Sequence, residues 1–176
     1  MENGIITRVK GNIREQEFED LPIDYIDIPW YDSGKRIQKL VTKKGISIGI
    51  RLDDENIARG LLQGDVLEVI NGEAIVLNII EEKCITIKLM DLKTVAKVCY
   101  EIGNRHSPLF YSEDYSDLIL PYDEPMLVML NKLGVETSVR MMKIHRDRSI
   151  SSVNTSNHHG HSHDREHSHH HISHEH

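Results

Sequence analysis

An α+β protein is predicted: an all-β N-terminal domain over residues 1–80, a ferredoxin-like βαββαβ domain over residues 81–148, and a disordered histidine-rich tail over residues 149–176. Three observations carry this prediction. Up to about Ile80, short runs rich in Ile and Val are separated by turn signals, with little helical periodicity. Between Cys84 and Ile144, strand-like alternation gives way twice to an apolar period of 3.6 residues. From Ser151 onward Val153 and Ile172 are the only aliphatic residues, so nothing offsets the entropy of ordering the backbone.

In the first domain the candidate strands are Ile5 to Ile13, Tyr25 to Trp30, Ile37 to Thr42, Ile46 to Leu52, Asp65 to Ile70 and Ala74 to Ile80. Gly34, Gly45, Gln63-Gly64-Asp65 and Asn71-Gly72 punctuate them, and Asn-Gly is the strongest short hairpin signal because both residues tolerate positive φ. In the second domain Cys84 to Met90 alternates as a strand. Asp91 then caps a helix whose apolar positions are Leu92, Val95, Ala96, Cys99 and Ile102, and Gly103 ends it. Two short strands, Pro108 to Tyr111 and Asp117 to Leu120, flank the polar turn Ser112 to Ser116. A second helix opens at Asp123 or Glu124 before Pro125, keeps Met126, Met129, Leu130 and Leu133 on one face, and stops at Gly134. Val135 to Ile144 is the last strand. Two helices covering one face of this sheet would leave the other face or an edge for a partner.

Bulk properties narrow the function. An apolar share of 39% supports a core, and the net charge of -7 provides no basic stripe, which argues against nucleic acid and against an anionic membrane as partners. Protonation of the tail imidazoles near pH ~6.5 would soften that charge. Cys84 and Cys99 sit at apolar positions and read as small hydrophobes rather than a disulfide framework. No stretch reaches the ~18 apolar residues of a membrane span, and the start lacks an apolar core of signal-peptide length, so a cytoplasmic location is expected.

Ten of the 12 histidines lie in the tail: His158, His159, His161, His163, His167, His169, His170, His171, His174 and His176. Neutral imidazole is the commonest ligand for borderline transition metals, so this density reads as metal capture. Asp164, Glu166 and Glu175 add carboxylates. The spacing fixes no single geometry and predicts several interchangeable sites, with Cu²⁺ favoured by intrinsic affinity and Ni²⁺ and Zn²⁺ behind it. An affinity tag would be one uninterrupted block, whereas the longest run here is His169-His170-His171. An inert solvating tail is the other plain reading.

His106 and His145 remain. From position alone His106, with Arg105, answers the negative end of the preceding helix, and a metal-ligand role is the second reading. His145 reads as a solvated strand end or an additional ligand. The segment Tyr100-Glu101-Ile102-Gly103-Asn104-Arg105-His106, following Ala96-Lys97-Val98-Cys99, resembles the signature of the urease nickel metallochaperones, the urease accessory protein UreE family. Trp30 with the basic run after it, Ile48-Gly49-Ile50-Arg51-Leu52, Gly64-Asp65-Val66-Leu67, Leu133-Gly134-Val135 and the histidine-rich end extend the similarity over essentially the whole chain.

The resemblance implies a partner- or peptide-binding N-terminal domain and a metal-binding C-terminal domain that forms a homodimer. It also implies that His106 meets its counterpart from the other subunit at one Ni(II) ion, with Zn(II) or Cu(II) as alternatives at the same ligands. A two-fold axis doubles a weak single ligand, and tethered tail histidines complete the coordination at an effective concentration toward ~mM. The implied partners are the urease accessory GTPase and the apo-urease accessory complex. Some members carry further histidines where this chain has Tyr122-Asp123-Glu124-Pro125, better read as a capped helix start.

Other patterns are empty. No phosphate loop and no CxxC pair occur, and no serine or cysteine sits in a nucleophile context, so no enzyme is expected. Asp53-Asp54-Glu55, Glu81-Glu82 and Glu113-Asp114 read as solvated loops rather than acid–base pairs. Rival readings are a metal storage, buffer or sensor protein without a delivery role, and a peptide-binding module suggested by the PDZ-like cadence of Gly64 to Gly72.

Overall fold

The computed structural model describes residues 5–89 and 91–150. Its N-terminal part contains β1 (Gly11–Asn12), β2 (Ile23–Ile28), β3 (Ile37–Val41), β4 (Ser47–Arg51), a short helix α1 (Asp54–Arg59), β5 (Asp65–Ile70) and β6 (Glu73–Ile79). One sheet has the order β1-β5-β6-β2, with β2 parallel to β6, and β3 and β4 form a separate antiparallel pair. Asn71 and Gly72 link β5 to β6 with φ of 53° and 79°, the two left-handed residues that a tight hairpin requires. Ile26, Ile28, Ile48, Ile50, Leu52, Leu67, Ile75 and Leu77 fill the main core of this part.

Two expectations change here. The long strand expected over Ile5 to Ile13 reduces to a bridge from Ile6 to Ile50 and the two residues of β1. The all-β reading also omits α1, which is helical because Asp53 accepts from the Asn56 N–H at 2.9 Å and Gly60, at φ 74°, closes the last turn. None of its residues is buried, so no apolar stripe betrays it in the sequence. Asp53 in the first acidic cluster is therefore a helix cap.

The C-terminal part runs β7 (Glu82–Lys88), α2 (Leu92–Gly103), β8 (Phe110–Tyr111), β9 (Asp117–Pro121), α3 (Glu124–Lys132) and β10 (Thr137–Met142). Its sheet has the order β10-β7-β9-β8, every neighbouring pair antiparallel. Ile85, Ile87, Leu118 and Leu120 point to one face and pack against Val98 and Ile102 of α2 and Met126 and Leu130 of α3. Burying such a side chain fully contributes about 1.5–3 kcal/mol, enough to hold each helix on the sheet. Asp123 caps α3 by accepting from the Met126 N–H at 2.7 Å, and Gly134 follows its end at φ 74°.

The opposite sheet face is covered at one end only, and stays open around Ser138 and Arg140. Cys84, Phe110 and Ile119 on it join Ile144, and Trp30 from the N-terminal part closes over them, its ring 5.2 Å from that of Phe110 in an edge-on arrangement. The Trp30 indole N–H donates to Glu82 at 3.0 Å, which gives one residue of the second acidic pair a structural partner. Lys143 donates to Asn78 at 2.7 Å, and Arg146 lies against Gly34 and Gly60, where any Cβ would collide with it. Burial pushes the Cys84 thiol up to about 11, in keeping with an inert buried cysteine.

Ser149 and Ile150, placed by sequence at the head of the tail, still belong to the folded part. Ser149 bridges Phe110, and the Ile150 N–H donates to the Leu109 carbonyl at 2.9 Å. No helix among the described residues is long and apolar enough to cross a membrane.

Candidate metal site

The geometry around His106 is set by how α2 begins and ends. Asp91 starts it, accepting from the Thr94 N–H at 3.0 Å and the Thr94 hydroxyl at 2.7 Å, which holds its carboxyl below the usual range. At the far end Gly103 is the last helical residue rather than the stop. The left-handed residue that terminates the helix is His106, at φ 52°. Its N–H donates to the Gly103 carbonyl at 2.9 Å, and the Ser107 N–H reaches the Ile102 carbonyl at 3.4 Å. These are the two bonds of a Schellman motif, in which the left-handed position is ordinarily glycine. Histidine is among the few other residues that tolerate it.

His106 is exposed. Arg105 answers the helix carbonyls instead, donating to the Glu101 backbone oxygen at 2.8 Å and to its carboxylate at 2.9 Å. The helix-terminus explanation thus accounts for Arg105 by observed bonds, and for His106 by backbone conformation alone.

The phase of α2 differs from the expected one. Val98 and Ile102 are buried, whereas Leu92 is 84% exposed and Ala96 and Gly103 are exposed with it. The reason is that α2 carries apolar residues on two faces, and only contact with the sheet decides which one turns inward. Leu92, Ala96 and Gly103 share an exposed stripe of α2 that ends three residues before His106, while half-buried Cys99 packs against the core.

His145 lies elsewhere. It precedes a 3₁₀ turn, Arg146–Arg148, and lines a cavity of about 220 Å³ with Phe110, Ile119, Met142, Ile144 and Arg148. Burial lowers its pKa, and Arg148 and Lys143 add to that against Asp147 and Glu113. It is half-buried, not the solvated strand end that position suggested. Asp114, in the third acidic pair, organises the turn between β8 and β9. It accepts from the Ser112 and Ser116 hydroxyls, each at 2.8 Å, and its carboxyl is held down to about 2.

Among the described residues no three His, Cys, Asp or Glu side chains converge as a metal cluster. His145 lines the cavity described above and His106 does not, and the tail histidines His158 to His176 lie outside the described residues. What the sequence reading missed is the left-handed conformation of His106. The chain offered a false signal in Gly103, the nearer glycine.

Comparison with known proteins defines the class. Residues 6–79 match the family model described as the UreE urease accessory protein, N-terminal domain, and residues 82–176 match its C-terminal domain. This is the class of urease accessory proteins, which serve urease maturation and are not themselves catalysts. Urease accessory protein UreE of Helicobacter acinonychis is 40% identical over 140 residues, covering 80% of this chain and 82% of that protein. UreE of Helicobacter pylori strain G27 has the same identity and coverage, and that of Acetivibrio thermocellus is 36% identical over 140 residues, covering 80% and 88%. The chain belongs to the UreE urease accessory protein family.

Proposed function

We propose that the protein is a cytoplasmic nickel chaperone that works as a homodimer and passes Ni(II) to apo-urease through the accessory GTPase complex. The observation that carries this reading is the placement of His106: an exposed imidazole in a left-handed turn, three residues beyond the exposed stripe of Leu92, Ala96 and Gly103 on α2. Small residues on such a stripe let two helices approach closely, and isologous pairing across a two-fold axis would bring two copies of His106 together. One imidazole is a weak ligand; two on an axis make half a coordination sphere. The tail histidines supply the remaining ligands by rearrangement, and the ion leaves by exchange onto a docked partner's ligands. Nickel is cargo here, and Zn(II) or Cu(II) would compete for the same nitrogens.

The C-terminal part is read as a ferredoxin-like fold, supported by its βαββαβ order, the sheet order β10-β7-β9-β8 and two helices on one face. His145 is left aside in this reading, because it lies half-buried in a separate cavity with Arg148 beside it. The ligands in this reading are His106 and the tail.

Isothermal calorimetry with Ni²⁺ tests the assignment on three proteins: wild type, His106→Gly, and a chain ending at Ser151. The His106 variant should lose the tightest site per dimer, while the shortened chain should keep it and lose most of the stoichiometry. Undiminished tight binding by His106→Gly would remove the basis of the reading. Nickel-dependent activation of apo-urease by purified accessory proteins, with and without this chain, separates delivery from storage.

A further inference from the structure

We propose that the outer edge of β3 is a docking strand for an extended segment of a partner protein, one with the alternation apolar–x–acidic–x–apolar. The register fixes which way β3 faces. Thr42 donates to the Ile46 carbonyl and Leu52 to the Arg36 carbonyl, each at 2.9 Å, so the even-numbered residues of this strand bond to β4. The backbone groups of Ile37, Lys39 and Val41 therefore point away from β4. Only beyond the strand is that side used, where the Lys43 N–H donates to the Tyr25 carbonyl at 2.8 Å. Three residues of open edge remain, the length over which a short peptide adds to a sheet.

Ile37 and Val41 on this edge are exposed apolar side chains, which an edge strand is ordinarily spared. Ile37 is 68% exposed and Val41 57%, and exposed Ile5 lies beside the same pair of strands, near Gly49. Between Gly34 and Gly45 the chain holds Lys35, Arg36, Lys39, Lys43 and Lys44 and no acid, in a protein of net charge -7. Four of these cations are taken: Lys35 pairs with Asp32, Arg36 with Asp54, Lys43 with Asp27 and Lys44 with Glu73. Among the described residues Lys39 has no acidic partner, and neither does Arg51, which pairs in register with Ile37. Since side chains on one face recur every second residue, Ile37, Lys39, Val41 and Arg51 share the outer face. An added strand would meet that face with its own alternate residues, apolar opposite Ile37 and Val41 and acidic opposite Lys39.

The inference rests on the reading of the N-terminal part as partner-binding and is independent of the metal site. It is tested by fluorescence anisotropy on the full chain, with chelator present, using two labelled peptides: Ser-Ile-Thr-Glu-Thr-Val-Ser and its analogue with Lys in place of Glu. Wild type should bind the Glu peptide and not the Lys peptide. Lys39→Glu should weaken the Glu peptide roughly tenfold, because a like-charge pair replaces an opposite one, and should gain the Lys peptide. Lys39→Pro removes an outward N–H without touching a bond to β4, and should bind neither peptide. Unchanged circular dichroism of Lys39→Glu guards against misfolding.

Peptide binding that survives Lys39→Pro overturns the edge assignment but not the partner-binding reading. Absence of binding to any form overturns both. A Lys39→Pro protein that sediments as a smaller species than wild type assigns the edge to a second copy of the chain and overturns the proposal.

Discussion

His106 occupies a backbone position that glycine would fill without strain, so two substitutions there separate ligand from scaffold. A left-handed conformation costs a residue with a Cβ about 1–2 kcal/mol, less for histidine than for alanine. His106→Gly recovers roughly 1 kcal/mol of that and loses about 0.5–1 kcal/mol to the freedom glycine gains in the unfolded chain, which leaves metal-free stability nearly unchanged. His106→Ala keeps the Cβ and gives up the tolerance of histidine, for a loss of about 1 kcal/mol. For a chain of this size that is ~2–4 °C in Tm, against a shift within about 1–2 °C for the glycine variant. Scanning calorimetry in chelator reads both. With Ni²⁺ at ~100 times its Kd, wild type should gain about 2.7 kcal/mol and the two variants much less. A metal-free His106→Gly protein destabilised by ~2 kcal/mol or more would mean that the imidazole holds the fold together. The assignment of His106 as an outward ligand on a strained turn would then fail.

Other perturbations have equally definite outcomes. Arg59→Ala leaves the fully buried Asp65 carboxylate without the guanidinium that now binds both its oxygens at 2.7 and 2.8 Å, and should cost about 3–5 kcal/mol by denaturant unfolding. Trp30→Phe loses the bond to Glu82 while keeping an aromatic ring against Phe110, and should cost about 1 kcal/mol. Asp114, depressed to about 2, confers stability that is complete above its unfolded value near 3.9 and is lost as pH falls toward 2; Asp114→Asn should flatten the acid limb of the stability curve. His145 is shifted the other way for a base: burial favours its neutral form, so its share of stability is present above pH ~6.5 and is lost as pH falls below it. An NMR titration of metal-free protein should place the His145 midpoint below the ordinary histidine value. Nickel capacity should fall over the same range, since protons compete for the tail nitrogens.

Much of this molecule is written locally. Asn71-Gly72, Asp91 and Asp123 each dictate a turn or a helix start through bonds to residues at most three positions away, and each is found where the chain announces it. The histidine-rich end and the Gly-Asn-Arg-His segment are equally plain, because they depend on residue type and spacing.

Burial is different, because it depends on what else packs nearby. α2 carries two apolar faces, and only the sheet decided that Val98 and Ile102 turn in while Leu92 and Ala96 stay out. The same contacts brought Trp30 onto the second face of the C-terminal sheet and placed His145 in a cavity. They also carried the folded part through Ile150. The left-handed turn at His106 belongs with these. Two glycine-compatible stops stood within three residues of each other, and the path of the chain from Ile102 to buried Leu109 and Phe110 fixed which one was used. Local bonds are encoded by neighbours in sequence, whereas the choice among competing faces and stops is made by apolar surfaces that meet only when the chain has folded.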